Sequence, residues 1–228
     1  MRVLCILLIL WGICLADVHI HNNSLYAQKP IASWSEIKDR NLTKQQYDYS
    51  CGSASLSTIL TYYYNQNISE KDILDFLLLN KGIDINKKEE IETNEQLRES
   101  VSFSFSDLAL FAQNKGFKAV GLALDLDALS TLKAPVIIYV NVRDMEHFSV
   151  YKGKDEQFVY LADPSLGNIK VSIAKFVEMF YQREDLTHPG KILAILPTQE
   201  NQSVNGVFMQ HTQDSKLTYE GIKQRMMR

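Results

Sequence analysis

The order of hydrophobic patterns along the chain limits its fold most strongly, because helical spacing dominates before Pro135 and short strand-like runs dominate after it. Helices are predicted over 50–65, 69–79, 106–116 and 125–132, with a further short one over 174–181. Strands are predicted over 117–124, 136–142, 147–151, 158–162, 169–173 and 191–196, the last closing the sheet. N-terminal helices packed on an antiparallel sheet indicate an α+β fold.

Three other stretches give weaker signals. Residues 17–43 form a polar lead-in with a short strand expected near 30–34. Residues 82–98 are dense in charge and are interpreted as a solvated helix or a mobile insertion. Residues 198–228 are polar and sparsely apolar, which predicts a tail or a loosely docked helix from Leu217 onward.

The first 16 residues have the pattern of a secretory signal peptide. Arg2 precedes an apolar run over 3–13. The small residues Cys14 and Ala16 stand three residues and one residue before a cleavage site between Ala16 and Asp17. The run is shorter than the roughly 20 residues that span a bilayer. We therefore expect a periplasmic protein without a membrane span after cleavage. A lipid anchor on Cys14 is the alternative, which the bulky Ile13 disfavours.

Composition narrows the class of partner. A formal net charge of −3 is mild and argues against nucleic acid or an anionic membrane as the main partner. The hydrophobic fraction of 46% is ordinary for a globular domain, and the chain is long enough to bury a sound core. No cluster of His and Cys has the spacing of metal ligands, so neither a metal nor an organic cofactor is expected.

Cys51 is the only cysteine that remains once the leader is removed. It stands where the helix over 50–65 should begin, and the start of a helix favours the negative charge of a thiolate. Gly52 and the small residues after it leave the sulfur accessible. Cys51 is therefore a candidate nucleophile. A small buried core residue is the alternative, since free cysteines are often buried.

Three polar residues are candidate partners of Cys51. Gln45, six residues earlier, could fold over the helix start and complete an oxyanion hole, although the adjacent Gln46 could take that role. His147 begins a strand and could act as the base. Asp163 ends the next strand, so one hairpin would bring it beside His147, where it could accept the Nδ1–H. Taken singly, each could be an ordinary loop, strand-edge or turn residue.

Three motifs resemble a known family: QQYDYSCGSASL at 45–56, HFSVY at 147–151 and DPSLG at 163–167. They are similar to motifs of the bacteriocin-processing, double-glycine peptidases, which are papain-like cysteine peptidases (family thirty-nine). The resemblance implies a papain-like α+β fold over 44–197. It also implies a triad with a glutamine as oxyanion donor, carried here by Cys51, His147, Asp163 and Gln45.

The sequence departs from the transporter-linked members of that family. It contains no Gly-x-x-x-x-Gly-Lys phosphate-binding loop, and Ser50 stands where those members have Asp before the cysteine. The residues of the cysteine motif, together with the secretory leader, are more similar to those of stand-alone periplasmic family members from functional-amyloid secretion systems.

These observations predict an exported cysteine endopeptidase that cleaves a protein or peptide of a secretion or functional-amyloid assembly pathway. The substrate could be an amyloid subunit or a secretion-system component. The alternative is a catalytically silent, peptidase-like module that binds a secretion substrate in the same cleft. Other acyl chemistry on the same triad, such as transglutamination, also stays open.

Overall fold

A computed structural model of the chain describes residues 17–22, 25–30, 33–142, 145–199 and 202–210. The described residues up to Ile37 and those from Lys38 onward form two compact units. The predicted leader with Cys5 and Cys14, and the helix expected from Leu217, lie outside the described residues. The signal peptide and its cleavage site therefore stay predictions.

The N-terminal unit contains a two-stranded antiparallel hairpin. Its strands are β1 (Asp17–Asn22) and β2 (Leu25–Pro30), and a short helix α1 (Trp34–Lys38) follows. The strand expected near 30–34 lies earlier in the chain: β2 ends at Pro30, and Ser33 and Glu36 form a reciprocal cap at the start of α1. The Glu36 carboxylate accepts from the Ser33 N–H at 2.6 Å, and the Ser33 hydroxyl accepts from the Glu36 N–H at 3.2 Å.

Among the described residues, five further α-helices lie between α1 and the main sheet: α2 (Cys51–Thr58), α3 (Glu70–Asn80), α4 (Lys88–Thr93), α5 (Glu95–Ser100) and α6 (Phe105–Asn114). Ser69 and Asp72 form a reciprocal cap at the start of α3, which agrees with the helix predicted from residue 69. Helix α6 begins one residue before the predicted start, because Ser104 caps it together with Asp107.

Helix α2 continues into a π-helical turn over Ile59–Tyr63, whose last carbonyls receive donors from a distant segment. The backbone N–H of Asn205 donates to the Tyr63 carbonyl at 2.7 Å, and its side-chain amide donates to the Tyr62 carbonyl at 3.1 Å. A short 3-10 helix over Gly206–Met209 follows, with Phe208 buried in the core. This part of the predicted tail is therefore packed against the domain.

The main sheet has six antiparallel strands in the order β3-β8-β4-β5-β6-β7. The strands are β3 (Phe117–Leu124), β4 (Val136–Val142), β5 (Met145–Lys154), β6 (Phe158–Asp163), β7 (Gly167–Ser172) and β8 (Gly190–Pro197). The last strand lies between β3 and β4, so its prediction as a closing strand is wrong. Eight of its residues pair with β3 and four with β4, which places it inside the sheet.

Both faces of the sheet are buried. Ile137 of β4 joins a core with α2, α3 and α6, whereas its neighbours Val136 and Ile138 join a second core. The second core contains residues of α7 (Leu126–Thr131) and α8 (Ile173–Phe180). Alternate strand residues point to opposite faces, so a strand covered on both sides needs the continuous apolar run seen in β4.

Candidate active site

Cys51 is the first residue of α2 and is half-buried. Gly52 brings this helix start close to β5, since a Cβ atom at position 52 would lie 3.1 Å from Cδ2 of Phe148. The Ser55 hydroxyl reinforces the contact by donating to the Phe148 carbonyl at 3.3 Å. Because Phe148 follows His147 directly, this close approach sets the thiol beside the imidazole.

His147 and Asp163 lie within hydrogen-bonding distance, as the hairpin argument predicted. The imidazole Nε2 is 3.0 Å from Oδ2 of Asp163, and the two side chains are 16% and 4% exposed. The expected use of Nδ1 is wrong, because the ring presents Nε2 to the carboxylate. Nδ1 is then the nitrogen left for Cys51, whose side chain helps to raise the pKa of His147.

The other oxygen of Asp163 is held by the turn that follows it. Oδ1 accepts from the Ser165 N–H at 3.0 Å, the Ser165 hydroxyl at 2.9 Å and the Leu166 N–H at 2.9 Å. Gly167 ends the turn with a φ of +87°, and a Cβ there would lie 2.5 Å from Cγ of Lys38. Both carboxylate oxygens are thus fixed, and only glycine suits the last turn position.

The pair has the electrostatics of an imidazolium beside a carboxylate. Burial opposes the charged form of His147, but the hydrogen bond to Asp163 and the interaction with Cys51 outweigh it and raise the pKa of His147 to about 10. Burial likewise opposes ionisation of Asp163, yet His147 and the turn donors hold its pKa below the ordinary value. Near neutral pH, His147 is therefore a proton donor held next to the sulfur.

Gln45 is tied to the same turn. Its backbone N–H donates to the Pro164 carbonyl at 3.1 Å, one residue after Asp163. Its side-chain Nε2 donates to the Tyr47 carbonyl at 3.1 Å, while Oε1 is buried without a hydrogen-bond partner. The neighbouring Gln46 side chain is exposed. The amide of Gln45 is thus the more constrained of the two.

Two supports of this site were missed in the sequence. Glu70, the first residue of α3, is buried and accepts from Gln46 and Ser50 in the loop before Cys51. The charge-dense stretch over 82–98 also contacts this loop: Glu92 accepts from the Asp48 N–H and Glu89 from the Tyr47 hydroxyl. In the sequence, Glu70 is marked only by its position after Ser69 at the start of a predicted helix. That position does not indicate a contact with the loop before Cys51.

Aromatic rings form an apolar wall next to Cys51. The rings of Phe148 and Tyr139 lie 5.4 Å apart, and those of Phe148 and Phe105 lie 5.2 Å apart. Burial, with added contributions from Glu146 and Cys51, raises the pKa of Tyr139.

Residues 39–186 match the Peptidase C39 family. The chain belongs to this family of cysteine peptidases. The recognition from the three motifs is therefore confirmed, and Cys51, His147, Asp163 and Gln45 all lie within the matched region.

Two relatives of this C39 chain carry the name "Probable functional amyloid protease FapD". The protein from Pseudomonas fluorescens is 31% identical over 149 residues, which cover 65% of this chain and 61% of the relative. The protein from Pseudomonas aeruginosa PAO1 is 27% identical over 150 residues, covering 66% of this chain and 61% of the relative. The matched stretch thus spans less than two thirds of either relative.

A solved structure agrees on the fold. The peptidase domain of Streptococcus ComA, a bifunctional ABC transporter involved in quorum sensing, superposes with a TM-score of 0.51. The match covers 69% of this chain and 98% of that domain at 18% sequence identity. The α+β, papain-like peptidase fold predicted for this C39 chain is confirmed.

The described residues contain neither a membrane-spanning helix nor a cluster of metal ligands. No helix among them has the length and apolar character needed to cross a bilayer. Nor do three or more His, Cys, Asp or Glu side chains come together there in a group that would hold a metal ion.

Proposed function

We propose that this protein is an exported cysteine endopeptidase that uses Cys51 as its nucleophile. The observation that supports this most is the combination of three groups: a thiol at a helix start, an imidazole whose pKa that thiol helps to raise, and a buried carboxylate 3.0 Å from that imidazole. The nucleophile Cys51, the acid–base group His147 and the orienting group Asp163 are thus arranged in the spatial order that covalent acyl transfer requires.

In this mechanism, the Cys51 thiolate attacks the carbonyl carbon of the scissile peptide bond, and the carbonyl electron pair moves onto oxygen. The imidazolium of His147 gives its proton to the departing amine as the carbon–nitrogen bond breaks, which leaves a thioester. Neutral His147 then takes a proton from water as the resulting hydroxide attacks the thioester. Collapse of this second tetrahedral intermediate breaks the carbon–sulfur bond and releases the acid product, which restores the Cys51 thiolate and the His147 imidazolium. Asp163 keeps the ring oriented throughout.

The negative oxygen of each tetrahedral intermediate needs hydrogen-bond donors. The backbone N–H of Cys51, at the open start of α2, is one, and the side-chain amide of Gln45 is the other. The bond from Nε2 of Gln45 to the Tyr47 carbonyl uses one of the two amide hydrogens. The second hydrogen stays free to donate to the oxyanion.

For the substrate, we propose a protein or peptide of a secretion or functional-amyloid pathway in the same cell envelope. The support is the naming of the two Pseudomonas relatives as functional amyloid proteases. Export through the N-terminal leader would bring the enzyme to that compartment, where a single remaining cysteine cannot form an intrachain disulfide.

The test is cleavage of a proteome-derived peptide library, with new amino termini identified by mass spectrometry. The full chain should produce cleavages that the Cys51→Ala variant does not, and His147→Ala should come close to that loss. A chain that binds library peptides without cleaving them would instead be the silent binding module. Transfer of acyl groups to added amines without hydrolysis would indicate transglutamination.

A further inference from the structure

Ser50 stands immediately before α2 but does not cap it. A serine at this position ordinarily accepts from an N–H of the first helical turn, yet no side-chain cap is made here. The Ser50 hydroxyl instead accepts from the Tyr47 N–H at 3.1 Å, and its hydrogen faces the Tyr47 carbonyl at 2.7 Å and Oε1 of Glu70 at 2.5 Å. The first N–H groups of α2 therefore stay uncapped at the nucleophile.

Glu70 holds the hydroxyl in this orientation together with the Tyr47 backbone. Its side chain comes from the start of α3 and is only 7% exposed. The same oxygen, Oε1, also accepts from the Gln46 backbone N–H at 2.9 Å. One buried carboxylate oxygen thus joins the two ends of the 46–50 loop, which connects Gln45 to Cys51.

A carboxylate is costly to bury, so its position reflects the donors around it. Burial raises the pKa of Glu70, while Ser50, Gln46 and Lys88 oppose that rise. An apolar side chain of similar size would fill the same space without this cost but could not accept either hydrogen bond. What Glu70 provides, and an apolar side chain of the same size would not, is therefore an oxygen that accepts hydrogen bonds.

We propose that Glu70 is a positioning residue: it fixes the 46–50 loop and turns the Ser50 hydroxyl away from α2, so that the Cys51 N–H and Gln45 stay aimed at the oxyanion. This inference rests on the proposed function of Cys51 as a nucleophile. Glu70 acts through the loop and does not touch the substrate. Its loss should impair the formation of tetrahedral intermediates more than the reactivity of the thiol itself.

Two probes separate these effects. Iodoacetamide alkylates a thiolate without a tetrahedral intermediate, and the rate is read at the Cys51 peptide by mass spectrometry. p-Nitrophenyl acetate acylates the same sulfur through an oxyanion: sulfur bonds to the acetyl carbon and p-nitrophenolate leaves. The burst of p-nitrophenolate, corrected with the Cys51→Ala variant, gives the acylation rate on the full chain.

Glu70→Leu should lower the acylation rate by about 10- to 100-fold, as expected for displaced catalytic groups, with little change in the alkylation rate. Glu70→Gln keeps an acceptor oxygen at the same reach and should restore most of the acylation rate. Glu90→Gln, an exposed carboxylate of α4, is the matched control. Equal falls in both rates, or an unchanged acylation rate in Glu70→Leu, would overturn the proposal.

Ser50→Ala provides a milder variant in case Glu70→Leu does not fold. It removes the hydroxyl that Glu70 holds and should also slow acylation selectively. Where both single variants fold, the double variant should be no slower than Glu70→Leu alone, because the two changes remove one shared contact; fully additive losses would contradict this. Absence of Cys51-dependent acylation in the wild type would refute the proposed function itself, whereas equal rates in wild type and Glu70→Leu would refute only the role of Glu70.

Discussion

Two buried carboxylates support opposite sides of the candidate site, and they do so differently. Asp163 is 3% exposed and faces the imidazole of His147, a group that can carry charge. Glu70 is 7% exposed and accepts from a hydroxyl and a backbone N–H, both neutral. Accordingly, the pKa of Asp163 is lowered, whereas burial raises the pKa of Glu70.

The contrast separates two requirements of a cysteine peptidase. The sheet side must keep a proton available to the leaving group, which a charged partner accomplishes by stabilising the imidazolium. The helix side must keep N–H groups and an amide at fixed positions, for which a hydrogen-bond acceptor suffices. The effects of substituting the two carboxylates should therefore differ in magnitude, in the probe that detects them and in their pH dependence.

The largest effect is expected at Asp163. Asp163→Ala removes the partner of His147 and should lower kcat for peptide cleavage by on the order of 10³- to 10⁴-fold, as in triads that lose the orienting carboxylate. Asp163→Asn keeps an acceptor but not the charge, and its loss should be severe yet smaller. Ser165→Ala removes only one donor to the carboxylate and serves as the control for the turn. Equal activities of Asp163→Ala and wild type would show that His147 needs no orienting group.

The next effect concerns the two adjacent glutamines. Gln45→Ala should lower the acylation rate by on the order of 10²-fold or more, as for the loss of one oxyanion donor. Gln46→Ala is the matched control, because its side chain is exposed and only its backbone N–H contacts Glu70. A damaging Gln46→Ala with a silent Gln45→Ala would shift the oxyanion role by one residue.

Stability should respond to pH with opposite signs at the two carboxylates. Because the pKa of Asp163 lies below its ordinary value of 3.8, its ionisation stabilises the fold above that value, and the contribution is lost as the pH falls through the folded pKa. The pKa of Glu70 lies above its ordinary value of 4.5, so its ionisation destabilises the fold as the pH rises through that interval. Lys88, which faces Glu70, reduces this penalty without reversing it.

Urea unfolding between about pH 2.5 and 6 measures this difference, because the range extends below the ordinary pKa of 3.8 for Asp163 and stays below the ordinary pKa of 6.5 for His147. As the pH rises, the free energy of unfolding of Asp163→Asn should fall progressively behind that of the wild type, whereas that of Glu70→Gln should gain on it. Parallel pH curves for the two variants would show that the two carboxylates do not differ electrostatically.

The pairing on the sheet side could be predicted from the sequence because its geometry is local. His147 and Asp163 belong to consecutive strands of one hairpin, and strand alternation alone brings their side chains together. Which imidazole nitrogen meets the carboxylate depends on the side-chain torsions of His147, and the sequence pattern contains no information on these. The prediction of Nδ1 was wrong for that reason.

The support on the helix side could not be predicted, because it depends on the packing of separate helices. Nothing in the periodicity of α3 indicates that Glu70 faces inward, since acidic residues are common in the first turn of a helix. The stretch over 82–98 was interpreted from its charge as solvated. Most of its side chains are indeed exposed, but Ile91 is buried and anchors α4 beside the loop before Cys51.

The smallest effect is expected at this outer contact. Glu92 accepts from the Asp48 N–H at 3.1 and 3.2 Å, and Arg98 lies 3.5 Å from the Asp48 carboxylate. Asp48 is exposed, so water can replace these partners, and Glu92→Gln should change the free energy of unfolding by less than about 1 kcal/mol. Its acylation rate should stay near that of the wild type, because Glu70 still holds both ends of the loop. An acylation loss as large as that of Glu70→Leu would mean that α4, rather than the buried carboxylate, positions the helix side of the site.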